Sequence, residues 1–188
     1  TIVGNIFCRV AERVVFAGRA NVIENNVFVD CHPGVYVWCR DLQFVEKNKR
    51  NVPTLLSRLK AMPYQQPPWS TRYPALVHIL DDQPSAPKGS RVTRNVFGGG
   101  GSWRHVDKLA VPIVPFADNL HDVDPRFVDP TADDYRLRDD SPAWKLGFKR
   151  IPVEKIGPYK DARRFSWPVA HQVRDVPRSL VYVPPKKQ

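Results

Sequence analysis

The sequence predicts an all-β chain of short strands wound into stacked parallel coils, and three observations point there. Nineteen prolines in 188 residues disfavour a helical bundle, because an interior proline removes a helix hydrogen bond and clashes with the preceding turn. A short phrase recurs four times, as Gly4-Asn5-Ile6-Phe7, Asn25-Asn26-Val27-Phe28, Arg94-Asn95-Val96-Phe97 and Asp118-Asn119-Leu120-His121. An apolar residue, Ile2, Ile23, Val92 or Phe116, stands three positions before each phrase asparagine. Asparagines 5 and 26 are 21 residues apart, and asparagines 95 and 119 are 24 apart. A fixed period of this length is one coil of a parallel solenoid. Asparagine suits the bend because it tolerates the left-handed backbone region and its amide can bond to equivalent amides above and below.

The elements follow in order. After the second phrase comes the strand-like run Gly34-Val35-Tyr36-Val37-Trp38, whose alternation turns Val35 and Val37 inward and Tyr36 and Trp38 outward. The 69 residues from Asn26 to Asn95 exceed one coil, so an insertion is placed at 42–88. Within it, Thr54 to Lys60 carries apolar spacing fit for a short helix. The prolines from Pro63 to Pro87 mark an irregular excursion, and Tyr64, Trp69 and Tyr73 argue for its order. Beyond Asn119, the runs Asp124 to Pro130 and Tyr135 to Ala143 read as a final strand pair and a turn. From Lys145 to Gln188 no repeat is visible. The expected organisation is therefore coils over 1–144 and an irregular cap and tail over 145–188, since terminal coils expose unpaired edges that need covering.

Charge excludes less than it first suggests. The formal charge is +10, from 29 Lys+Arg against 19 Asp+Glu. Much of it sits in local groups at Lys47 to Arg50, Arg163-Arg164 and Lys186-Lys187, which read as solvated loops and tail. Basic residues are not interleaved with aromatics along one face, which counts against nucleic acid. No run approaches the ~20 apolar residues of a membrane span, so no membrane partner is expected. Cys8, Cys31 and Cys39 show no metal-ligand spacing; core burial is the default, with a Cys31–Cys39 bridge as the alternative. Gly98 to Gly101 reads as a flexible turn, because no Lys-Ser/Thr follows to make a phosphate loop. Thr1 opens directly into strand-like sequence, which reads as the middle of an architecture with earlier coils missing.

The run from Ile23 to Cys31 resembles the right-handed parallel β-helix repeats of carbohydrate-active proteins, among them bacterial glycoside hydrolases and polysaccharide lyases. So do the stretch from Met62 to Pro74, followed by Ala86 to Gly89 and Arg94 to Phe97, and the ending from Phe127 through Phe148 to Ile151-Pro152 and Ile156-Gly157. The resemblance covers roughly residues 1 to 165. It implies a right-handed parallel β-helix of few coils with a loop and short-helix insertion, forming the carboxy-terminal part of a longer type of protein. It also implies a plant or microbial polysaccharide or oligosaccharide as partner and a secreted or periplasmic location.

In such a fold a sugar polymer lies along the outer face of one sheet, so the outward Tyr36 and Trp38 become candidate stacking residues, joined by Trp69 and Arg72 from the insertion. The alternative is that Tyr36 and Trp38 pack beneath the insertion. Glycoside hydrolysis needs two carboxyl groups about 5 to 9.5 Å apart. The expected pair is Asp30 and Asp41, with His32 or Arg40 orienting substrate; the competing reading is that an aspartate in a bend caps its own backbone. Trp38 stands near where related sequences carry an acidic residue, a departure that puts a catalytic carboxylate there in doubt. No cofactor is expected for a hydrolase. A lyase would need a base and Ca²⁺ held by carboxylates, for which Asp81-Asp82 is a weak signal. A non-catalytic carbohydrate-binding module is the alternative from another class. The open amino-terminal coil further suggests a homo-oligomer formed through that end.

Overall fold

The computed structural model of the chain describes residues 1–10, 14–39, 52–84 and 86–156. Arg40 and Asp41, the first part of the insertion, and the basic groups at 47–50, 163–164 and 186–187 lie outside the described residues. The described chain is mostly short strands in parallel sheets with few helices. The first unit contributes β1 (Ile2–Val3), β2 (Ile6–Cys8) and β3 (Val14–Ala17); the second contributes β4 (Val22–Glu24), β5 (Val27–Val29) and β6 (Val35–Trp38). The third contributes β7 (Arg91–Thr93), β8 (Val96–Gly98) and β9 (Arg104–Val106), and β10 (Phe116–Ala117) begins a fourth.

Each unit sends one strand to each of three parallel sheets. Sheet A has the order β1-β4-β7-β10, sheet B β2-β5-β8 and sheet C β3-β6-β9. Register follows the repeat. Ile2, Ile23, Val92 and Phe116 pair in sheet A, Phe7, Phe28 and Phe97 in sheet B, and Val14, Val35 and Arg104 in sheet C. The apolar residue three positions before each asparagine is thus an inward position of sheet A. The inward phenylalanines stack face to face, with ring centroids 4.9 Å apart for both neighbouring pairs. With Ile23, Val35, Val37 and Val92 they form the core between the sheets.

The corner between sheets A and B is held by an asparagine ladder. Asn26 Oδ1 accepts from both the backbone N–H and Nδ2 of Asn5, each at 3.0 Å. Asn95 Oδ1 takes the same two donors from Asn26, and Asn119 Oδ1 takes them from Asn95. The expected stacking of amides is present, but the left-handed residue is not the ladder asparagine. It is the residue before it: Gly4, Asn25, Arg94 and Asp118 have φ of 72°, 56°, 53° and 56°. The turn reverses one position earlier, and the asparagine side chain both enters the ladder and bonds its own turn: Nδ2 of Asn5, Asn26 and Asn95 donates to the carbonyls of Val3, Glu24 and Thr93.

The insertion contains α1 (Val52–Ala61), as its apolar spacing predicts, and the short α2 (Trp69–Arg72). It returns to the sheets through Asp82, which pairs with Arg19 and Lys88; those two cations hold the Asp82 carboxyl below the usual carboxylate range, Lys88 first. The strand pair after Asn119 is the antiparallel hairpin β11 (Phe127–Asp129) and β12 (Asp134–Leu137). It packs on the outer face of sheet B: the Cys8 thiol bonds the Tyr135 hydroxyl at 3.1 Å, and a Cβ on Gly98 would stand 2.7 Å from the Phe127 ring. This is why Val27, Phe28 and Val29 are all buried, where a half-covered strand would alternate. No disulfide joins Cys31 to Cys39; the Cys31 thiol is buried and bonds the Val29 carbonyl at 3.3 Å.

The compact unit runs from Thr1 to Ile151. Residues 145–151, the start of the expected cap and tail, lie in this unit: the Lys149 backbone exchanges two hydrogen bonds with the Asn25 side chain, at 3.0 and 2.6 Å, and Phe148 and Ile151 are buried. The other unit is Pro152–Gln188, of which residues 152–156 are described, with a single 3₁₀ turn at Val153–Lys155.

The hairpin is clasped to β2 by charge. Both Arg9 terminal nitrogens donate to Asp133 at 2.8 Å, and the Tyr135 hydroxyl donates to it at 2.7 Å. Arg9 first, then Tyr135, pull the Asp133 carboxyl down from 3.8 to about 2. A depressed carboxylate stabilises the fold fully above its ordinary pKa and loses that contribution as pH falls through the folded value. Amide exchange in β12, corrected for intrinsic rate, should therefore accelerate between pH 4 and pH 2, and Asp133→Asn should reduce that acid response, the remainder coming from Asp129 and Asp134, whose carboxyls Thr131 and Arg136 also hold low.

Candidate functional site

Sheet C differs from its neighbours. On sheet B the outward Val27 and Val29 are 2% and 5% exposed. On β6 of sheet C, Val35 and Val37 are buried at 0%, while the alternating Tyr36 and Trp38 are half-buried. The inward and outward assignment read from the alternation is therefore correct. The Tyr36 ring meets the Trp38 ring edge-on, with centroids 5.5 Å apart. The exposed His105 of β9 pairs in register with Tyr36 and stacks on it at 4.5 Å with only 9° between planes. Two adjacent strands thus present three flat rings on one face.

His105 was missed in the sequence, although a signal for it existed. The same offset of 69 residues that separates Asn26 from Asn95 carries Tyr36 to His105. It also carries Asp30 to Gly99 and His32 to Gly101, at the corner between sheets B and C.

At that corner Asp30 follows β5 with a left-handed φ of 51°. Arg9 after β2 and Gly99 after β8 repeat this conformation, at 50° and 87°, so Asp30 occupies a recurring turn position that aspartate tolerates. Its backbone N–H donates to the Gly98 carbonyl at 3.2 Å. The exposed carboxylate lies against Gly99, where a Cβ would come within 2.1 Å of Oδ1, and the imidazole of His32 lies against Gly101, where a Cβ would stand 2.7 Å from Nδ1. The glycine run is thus a contact surface for these two side chains. A small cavity of about 20 Å³ lies here, bounded by His32, Gly99, Gly101, Trp103, His121 and Asp122, with room for about one water. His121 stacks on Trp103 at 4.3 Å and its Nδ1 lies 2.6 Å from Asp122 Oδ2.

Asp30 and His32 therefore share one corner, and Tyr36 and Trp38 share the face of the sheet that begins just beyond it. Asp41 and Arg40 lie outside the described residues. Trp69 and Arg72 stand on α2, where both are exposed; Trp69 and Tyr73 rings are 6.2 Å apart, and the Arg72 guanidinium lies 5.7 Å from the Tyr73 ring centre. Among the described residues no group of three or more His, Cys, Asp or Glu side chains is placed to hold a metal ion, and Asp82 is already engaged by Arg19 and Lys88. No helix among them is long and apolar enough to cross a membrane. No protein-family model matches the chain, and no curated protein or solved structure matches it either.

Proposed function

We propose that this chain is a carbohydrate-active protein, built as a right-handed parallel β-helix, that holds a plant or microbial polysaccharide along the outer face of sheet C. The observation that carries this reading is the parallel stack of Tyr36 and His105 beside Trp38 on adjacent strands. The facing surfaces of Tyr36 and His105 cover one another, so these two rings offer a sugar their edges and polar tips, which can reach its hydroxyls. Strands about 4.8 Å apart place neighbouring rings on a spacing close to that of one sugar unit. A secreted or periplasmic location fits such a partner.

The test is binding to a panel of soluble polysaccharides. Tyr36→Ala should weaken binding by about tenfold, equivalent to ~1.4 kcal/mol, whereas Tyr36→Phe, which keeps the ring, should retain most of it. Equal binding by wild type and Tyr36→Ala, with both folded, would remove sheet C from the reading.

Hydrolysis is the second reading, favoured by the exposed Asp30 carboxylate beside His32 at the edge of that face. With Asp41 as its partner, Asp30 would serve as one of the two carboxyl groups the reaction requires, and no cofactor would take part. Release of reducing sugar should then fall by about a hundredfold or more in Asp30→Asn and Asp41→Asn. Retained release in both variants sinks the pair, and binding without any release leaves a carbohydrate-binding module. Unsaturated products that vanish with chelator would indicate a Ca²⁺-dependent lyase instead.

A further inference from the structure

The β11–β12 hairpin has two unlike faces. Alternation along β12 buries Tyr135 and Leu137 and turns Arg136 and Arg138 outward, about 6.8 Å apart along the strand. Val128 of β11 joins that outward face and is 46% exposed. Arg150 reaches it from the segment that Lys149 and Asn25 tie to the sheets. Together Val128, Arg136, Arg138, Asp139 and Arg150 bound a shallow cleft of about 380 Å³, within the range of small-molecule sites, about 300 to 1,000 Å³.

The walls carry three guanidiniums against one carboxylate, and the guanidiniums are unequally engaged. Arg136 is committed to Asp134, its Nε donating to Oδ1 at 2.8 Å. Asp140, the carboxylate beside Arg138, is bonded by Arg126 at 2.9 Å, and Arg138 Nε stands 3.8 Å from it, beyond hydrogen-bond reach. Among the described residues the Arg138 guanidinium donates no hydrogen bond. Arg150 spends one N–H on Asp139 at 3.2 Å, and the Asp139 side chain is 99% exposed, so water screens that pair and it contributes little. The Trp144 ring, 5.8 Å from the Arg150 guanidinium, helps fix its place.

We infer that this cleft binds the carboxylate of an acidic sugar unit through Arg138 and Arg150, with Asp139 as the internal anion that the ligand displaces. A guanidinium presents paired N–H donors that match a planar carboxylate. A free tetrahedral ion would leave most of the cleft to water, whereas a sugar ring fills it and meets an apolar surface at Val128. The sugar class rests on the carbohydrate reading above; the need for a negative charge rests on the cleft alone.

The test titrates glucuronate, glucose and inorganic phosphate separately into the isotope-labelled full chain and follows Val128, Arg138 and Arg150 by NMR. Glucuronate should give saturable shifts at these residues that weaken as salt is raised, and glucose should give none. Arg138→Gln and Arg150→Gln should each weaken glucuronate binding about tenfold. Asp139→Asn should tighten it about threefold by removing the competing carboxylate, a gain that loss of structure cannot produce. Tyr36→Ala, on sheet C, should leave these shifts unchanged, so failure here and failure of the sheet C reading are told apart. The inference is overturned by no shift with glucuronate, by an equal response to glucose, by phosphate binding at these residues at least as tightly as glucuronate, or by Asp139→Asn binding no tighter than wild type.

Discussion

Asn95→Leu is expected to destabilise the protein by about 4 kcal/mol and to lower its unfolding midpoint by roughly 10 °C. Leucine keeps the branching of asparagine but carries two bulkier methyls, so some packing strain adds to the loss of hydrogen bonds. Asn95 is 1% exposed and Asn26 is 0% exposed. Removing the Asn95 amide orphans the Asn26 backbone N–H, which donates to Asn95 Oδ1 at 3.0 Å, and takes one acceptor from Asn26 Nδ2, which keeps the Ile2 and Glu24 carbonyls. It also strips Asn95 Nδ2 donation from the Ile23 and Thr93 carbonyls, both at 3.1 Å. No water reaches these groups, so each lost partner costs about 1 to 3 kcal/mol, less for a carbonyl that keeps its strand bond. The same change at Asn5, which is exposed and ends the ladder, should cost about 1 kcal/mol. Denaturant titration of both variants checks this gradient; equal losses would mean the ladder does not act as a buried network.

Phe28→Ala should cost a similar amount, about 3 to 5 kcal/mol. Its ring lies between Phe7 and Phe97, 4.9 Å from each, at interplanar angles of 12° and 7°. Truncation removes buried apolar surface, leaves a cavity beneath the inner face of sheet B and breaks two ring contacts worth about 0.5 to 1.5 kcal/mol each. Collapse cannot refill the space easily, because the hairpin holds sheet B from outside through Tyr135 and Phe127. Phe7→Ala loses one contact at a half-buried position and should cost about half as much. A Phe28→Ala loss below 1 kcal/mol would contradict the role given to the stack.

The repeat made much of this legible. Four asparagine phrases predicted the stacked amides and the parallel strands, because the same side-chain chemistry must recur wherever the same corner recurs. The residue before each asparagine carries the left-handed turn in the structure, and it varies between Gly, Asn, Arg and Asp; one strained position tolerates several residues at modest cost, so its composition gives little signal. The antiparallel hairpin was readable as a strand pair but not as the cover of sheet B. That packing depends on Tyr135 meeting Cys8 and Phe127 meeting Gly98, long-range contacts with no local pattern. The candidate site shows the same split. Tyr36 and Trp38 followed from two-residue alternation, whereas His105, Gly99 and Gly101 required the 69-residue offset across the insertion to be applied to side chains beyond the asparagines. Trp103 supporting His121 was only half legible: His121 stands two positions after Asn119, where the earlier phrases carry Phe7, Phe28 and Phe97, but Trp103 precedes β9 with no counterpart in the phrases.

Asp30 illustrates how one residue can serve both readings. Its left-handed φ repeats that of Arg9 and Gly99, so the turn explains why a small polar residue stands there. Its carboxylate is nonetheless exposed, at the corner it shares with His32, held where Gly99 leaves room for it. A turn residue with an exposed acid is available for chemistry without having been placed by it, which is why loss of activity in Asp30→Asn, with the unfolding midpoint unchanged, is the discriminating pair of readouts.

The most direct measurement of the sheet C reading is a titration of the native chain with a panel of neutral and acidic polysaccharides while the side-chain resonances of Tyr36, Trp38 and His105 are followed by NMR. The account expects saturable shifts at all three rings with at least one polysaccharide, and their loss in Tyr36→Ala. Binding that shifts the α2 rings or the corner histidines while Tyr36, Trp38 and His105 stay still, or no shift with any member of the panel, would contradict it.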